Sequence, residues 1–126
     1  MRKFPSILKT ASSVLAIASS LALLPVTGTA AEAQTASVTE QGKALSFDRK
    51  KGNCLACHQI EGGKLAGNIG PPLIAMKARY PDKAKLRAQI WDATKANPNT
   101  IMPPFGRNKI LSESEIDKIV EFIYTL

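Results

Sequence analysis

The sequence is poor in the side chains that usually hold a small domain together. It has two cysteines and one histidine in 126 residues, and only 6% of it is aromatic. Cys54 and Cys57 stand too close together for a bridge between them to staple the domain, so the cysteines serve another purpose. Long apolar runs are lacking too. The stretch from Ser13 to Val26 is interrupted by serines and closed by Pro25, which argues against a transmembrane anchor. No strand-like alternation, internal repeat or low-complexity tract follows residue 34, so the expected architecture is all-α with long functional loops.

What is present begins with an export signal. Arg2, Lys3 and Lys9 form a positive n-region, the Ser13 to Val26 stretch follows, and Ala31-Glu32-Ala33 supplies a small-residue cleavage site. Residues 1–33 are therefore expected to be a secretory signal peptide that delivers residues 34–126 to the periplasm. The whole chain carries 17 Lys+Arg against 10 Asp+Glu, a net charge of +7. Removing Arg2, Lys3, Lys9 and Glu32 with the leader brings the net charge to +5. A domain of this length buries only about 60 to 65% of its unfolded surface and usually needs a metal, disulfides or a cofactor to complete its core.

Four helical segments are expected. After a polar, mobile leader over residues 34–38, Ser37-x-x-Glu40 forms a capping box for a helix from about Thr39 to Arg49, with Leu45 and Phe47 as apolar contacts. Gly42 in that helix either permits close packing or is a tolerated surface residue. Residues 61–72 (EGGKLAGNIGPP) have loop composition, and a short helix is expected from Leu73 to about Arg79. Pro81-Asp82 opens a helix reaching about Ala96, with Leu86, Ile90 and Ala93 on one stripe. Pro103 and Pro104 make residues 100–108 a shaped loop. Ser112-x-x-Glu115 then caps a final helix in which Ile116, Ile119, Val120 and Ile123 follow the helical period.

Between the first two segments stands Cys54-Leu55-Ala56-Cys57-His58, the attachment pattern of a c-type haem. Two thiols on one helical turn match two vinyl groups, and the adjacent imidazole can reach the iron as proximal ligand. A thioredoxin-like dithiol would need a strand and helix that the pattern lacks, and a structural zinc site would be one ligand short. A covalently bound haem c also supplies the large apolar body that the thin aromatic content withholds. The distal position needs a ligand other than histidine, since His58 is the only one, and methionine is a known axial ligand of c-type haem. Met102 lies in the proline-stiffened loop and is assigned that place, while Met76, in an expected helix, is assigned to packing. With both axial positions filled, the iron carries electrons in place of binding substrate.

Other residues bear on this site. A carbonyl of the Gly70-Pro71-Pro72-Leu73 turn, most simply that of Pro71, can accept from the second nitrogen of His58 and fix its orientation. Trp91 can meet the haem edge or a propionate, although helix packing is the simpler role. Arg49, Lys50 and Lys51, with Lys43 and Lys64, either rim the haem edge and steer an acidic redox partner or form a solvated face. No nucleic-acid motif appears among them.

The Cys54 to His58 motif, the Gly-Pro-x-Leu turn, the methionine loop and the amphipathic last helix together resemble a class I cytochrome c. More narrowly, GNCLACHQI (Gly52 to Ile60), GNIGPPLIAMKARYPD (Gly67 to Asp82), IWDATKANPNTIMPPFGRN (Ile90 to Asn108) and EIDKIVEFIYTL (Glu115 to Leu126) are similar to the SoxX family. SoxX is the monohaem subunit of SoxXA in bacterial sulfur oxidation. The resemblance implies three to four helices around one haem, with Cys54 and Cys57 as attachment sites, His58 proximal and Met102 distal. It implies a heterodimer with a SoxA-like dihaem or monohaem cytochrome, which carries the active-site haem. The pair would act as an L-cysteine S-thiosulfotransferase, coupling thiosulfate oxidatively to a cysteine of the SoxYZ carrier protein and passing electrons to a small soluble cytochrome c. The alternatives are a free-standing electron shuttle without an enzyme partner and a haem-free dithiol protein. Both thiols are consumed by haem, and no nucleophile and base pair stands out, so the chain is not expected to be catalytic alone.

Overall fold

The computed structural model describes residues 36–126, so the leader expected at residues 1–33 lies outside the described residues. Ser37 opens helix α1 (Val38–Phe47). Its hydroxyl accepts from the Glu40 N–H at 3.2 Å, and the Glu40 carboxylate accepts from the Ser37 N–H at 2.8 Å. This reciprocal box satisfies two donors that would otherwise end the helix unpaired. The helix takes in Val38, expected to be mobile, and stops two residues before the expected Arg49. Asp48 is extended there, and its carbonyl accepts from the Lys51 and Asn53 N–H groups, turning the chain.

Helix α2 (Met76–Arg79) is shorter than the expected Leu73–Arg79. Ala75 sits in the left-handed region at φ +51°, which breaks the expected helix after Leu73, and the Leu73 N–H donates to the Gln59 carbonyl at 2.9 Å. Helix α3 (Lys83–Trp91) begins at its Asp82 cap as expected but ends well before Ala96. Asp92 breaks it: the extended backbone at this residue lets its carboxylate cap a separate short turn, Ala93–Lys95. Helix α4 (Glu113–Ile123) carries the second expected capping box, between Ser112 and Glu115. No strand occurs among the described residues, in line with the all-α expectation.

The core forms where α1 meets α4. Ile116, Ile119, Val120 and Ile123 are buried, each on the stripe expected from the sequence, and Phe122 joins them. Full burial of such a side chain stabilises the fold by roughly 1.5 to 3 kcal/mol. Phe47 meets Phe122 edge-on, with ring centroids 6.0 Å apart. Gly42 is the packing glycine: a Cβ there would overlap the Lys118 carbonyl of α4 and lie 3.0 Å from the Phe122 Cβ. Of the two readings of Gly42, close helix approach is the one observed. The α3 helix joins the same core through Leu86 and Ile90, and Arg87 pairs with Asp117 of α4 at 2.6 Å.

Candidate functional site

The loops, together with residues of α2, α3 and α4, line a cavity of about 570 Å³. The cysteine-bearing segment forms one wall. Asn53, a residue that tolerates the left-handed region, adopts φ +47° and opens a short helical turn over Cys54–Ala56. The His58 N–H donates to the Cys54 carbonyl at 2.9 Å, which winds the histidine back beneath the turn. Cys54, Cys57 and His58 consequently line one cavity.

The loop at residues 61–75 is laid against this wall by backbone hydrogen bonds. The Gly67, Gly70 and Leu73 N–H groups donate to the Leu55, Cys57 and Gln59 carbonyls at 2.7 to 2.9 Å. This register brings the Pro71 carbonyl within 2.7 Å of His58 Nδ1, the partner expected from the sequence. A carbonyl can only accept, so Nδ1 carries the proton and Nε2 keeps its lone pair for a metal. Gly70 permits the approach: a Cβ there would stand 2.6 Å from Nδ1 and 3.0 Å from Nε2 of the imidazole. Arg79 adds a brace that the sequence alone did not suggest, donating to the Pro72 carbonyl at 2.8 Å.

The second wall comes from the proline loop. Met102 is half-buried and lines the cavity, with its N–H donating to Thr100 Oγ1 at 3.2 Å. Met76 also borders the cavity, but it is 2% exposed, and its sulfur accepts from Arg79 at 3.4 Å. Phe105, Leu86, Ile90 and Ile119 belong to the apolar lining. Trp91 stays outside. Its ring lies against Gly106 and under the Arg87 guanidinium at 5.5 Å, so its role is packing. Of the expected basic residues, Arg49, Lys50 and Lys51 border the cavity, while Lys43 lies over the Phe47 ring at 5.7 Å and Lys64 is exposed away from the lining. Lys51 is already paired with Glu115 at 2.7 Å.

Burial pushes the Cys54 thiol up to about 11, against the lowering effect of a hydrogen bond with Ser46. A thiol held protonated at neutral pH is unlike the low-pKa nucleophile that a thioredoxin-like dithiol requires. The arrangement suits a large apolar disc in place of a free dithiol. Two thiols and an oriented imidazole stand on one wall, a thioether is supplied by the other, and the remaining lining is mainly hydrocarbon, with Arg49, Lys50 and Lys51 at its border.

The cytochrome c family model matches residues 39–126. The chain belongs to the cytochrome c family. Its helices have the cytochrome c fold, it binds haem c covalently, and its role is electron transfer. This cytochrome is 30% identical over 82 residues to cytochrome c-552 of Nitrosomonas europaea, a match covering 61% of this chain and 73% of that protein. It is 34% identical over 76 residues to an uncharacterized lipoprotein of Aquifex aeolicus. That match covers 60% of this cytochrome but only 37% of the lipoprotein's length. Among solved structures, it is similar to a chain in the crystal structure of SoxXA from P. pantotrophus. The TM-score there is 0.63 at 27% identity, covering 73% of this cytochrome and 83% of that chain.

Proposed function

We propose that this cytochrome is a SoxX-type subunit, the electron-accepting member of a SoxXA pair that couples thiosulfate to a cysteine of SoxYZ. The observation that carries the reading is the similarity, in fold and in sequence, to a chain of SoxXA. In this reading residues 1–33 export the chain to the periplasm, a SoxA-like cytochrome is the partner, and a small soluble cytochrome c is the acceptor.

Cys54 and Cys57 would hold the haem through thioether bonds, with His58 as its proximal and Met102 as its distal ligand. When bound, haem c supplies reversible one-electron exchange at its iron. The protein's contribution is placement. The Pro71 carbonyl fixes the His58 tautomer and presents Nε2, Gly70 leaves room for the ring, and the apolar wall of Leu86, Ile90 and Phe105 excludes water. The Met102 thioether would raise the reduction potential of such a haem and close its iron to exogenous substrates, as a relay of electrons requires. Making the sulfur bond falls to the partner, because both thiols and the single histidine of this chain are committed to the cofactor.

Purification of the holoprotein from its native source tests the assignment. A SoxX subunit co-purifies with a SoxA-like cytochrome and is reduced by thiosulfate in the presence of SoxA and SoxYZ. A monomer that this mixture leaves oxidised would overturn the assignment in favour of a free-standing shuttle.

A further inference from the structure

The loop that carries Met102 is tied to the body of the protein at its neck. The hydrogen bonds of residues 97–103 all close within residues 93–103, among them Thr100 N–H to the Asn97 carbonyl and Met102 N–H to Thr100 Oγ1. At the neck the pattern changes. Asp92, where α3 ends, is only 3% exposed, and its carboxylate accepts from the Thr94 N–H at 3.1 Å and the Thr94 hydroxyl at 2.5 Å. On the returning strand of the loop, Arg107 donates to Asp92 Oδ2 and to Thr94 Oγ1, each at 3.0 Å. Beside this pair the Gly106 N–H donates to the Trp91 carbonyl at 3.0 Å.

We propose that Asp92 and Arg107 form a clamp at the loop neck that positions Met102 against the haem iron; this rests on Met102 being the distal ligand. The buried carboxylate gives the clamp its strength. A charge removed from water is costly to leave unpaired, so separating the two ends of the loop exposes Asp92 or strands it. The two prolines carry the constraint forward. With φ fixed at Pro103 and Pro104, little freedom remains between Met102 and Phe105, whose side chain is buried 8% exposed in the cavity wall. Asp92 and Arg107 touch neither iron nor sulfur, so they are positioning residues. Their effect is on how often the thioether leaves the iron, a local opening distinct from global unfolding.

The test uses the ferric holoprotein with imidazole as the probe. It reads three quantities: the weak methionine-to-iron band at long wavelength, the rate of imidazole binding, and the reduction potential. Arg107→Ala, at a half-exposed position, is expected to bind imidazole about tenfold faster, weaken the band and lower the potential, as loss of a hydrogen bond to a charged group would do. Asp92→Asn is expected to act in the same direction, and Arg107→Lys to recover part of the loss. Lys83→Ala, which removes an ion pair with Glu121 on the far side of α3, is expected to leave all three readouts unchanged. Met102→Ala is measured alongside. If it abolishes the band while Arg107→Ala and Asp92→Asn bind imidazole at the parent rate, the clamp is overturned and the ligand assignment stands. If the band survives Met102→Ala and is lost in Met76→Ala, the ligand assignment falls and takes the clamp with it. Should Asp92→Asn fail to fold, Arg107→Ala and its lysine counterpart decide the matter.

Discussion

The α1–α4 side and the cavity side of this cytochrome are built on opposite terms. On the first, two capping boxes start the helices, Gly42 sets the crossing, and Ile116, Val120 and Phe122 are sealed from water. On the second, the loops at residues 61–75 and 97–111 leave Leu65 93% exposed and Ile101 71% exposed, and three of their non-glycine residues, Leu65, Ala75 and Lys109, adopt left-handed backbone. Side chains on the first side find their apolar partners within the chain. Those on the second surround a space that only a cofactor fills. The helical side thus supplies stability and the loop side supplies the site, and each is vulnerable to a different kind of damage.

The largest effect should follow from removing the cofactor's anchors. Cys54→Ser with Cys57→Ser is expected to abolish haem staining on a denaturing gel and to make the loops at 61–75 and 97–111 the first targets of limited proteolysis, while circular dichroism retains part of the helical signal. Loops that stay protease-resistant without haem would break the contrast. Next comes Gly42→Val, which forces a branched side chain into the Lys118 carbonyl. It should cost about 3 kcal/mol in urea unfolding of the holoprotein with an unaltered visible spectrum, since the damage lies away from the haem. A changed spectrum at that position would show that the two sides are less separate than the packing implies.

The smallest effect concerns a bridge between the sides. Lys51 at the cavity rim, followed by the Ser112 N–H, lowers the Glu115 carboxyl from 4.5 to about 2. A folded value depressed below the unfolded one contributes stability that is complete above the unfolded value and vanishes as pH falls through the folded value. Glu115→Gln should therefore lower the denaturation midpoint slightly at pH 7, and the difference from the parent should shrink between about pH 4.5 and pH 2. A difference that persists undiminished at pH 2 would assign the effect to the helix cap in place of the carboxylate charge.

Much of this division is legible in the sequence, because its signals are local. A serine three residues before a glutamate specifies both capping boxes, the spacing of isoleucines specifies the buried face of α4, and the cysteine and histidine spacing specifies the attachment wall. Even the Pro71 carbonyl follows from the need of His58 for an acceptor. What the sequence conceals depends on distant partners. The early part of the expected Leu73–Arg79 helix is lost where Ala75 adopts left-handed backbone while Leu73 is held to Gln59. The end of α3 is set by Asp92, whose polar side chain gives no hint that Arg107 will meet it from the far side of a loop. Gly42 stayed ambiguous for the same reason, since its neighbour Lys118 lies at the other end of the described chain.

That contact between Gly42 and Lys118 has a consequence for the order in which the molecule comes apart. It fastens the two ends of the described chain together, so everything between them, haem included, is held inside a closed circuit. On the proposed ligation, the loops would release an iron ligand while the circuit stays shut. Amide hydrogens of α1 and α4 should then exchange only with complete unfolding, and those around Met102 far sooner. On the proposed ligation, the cytochrome would exchange its distal ligand without letting go of its cofactor.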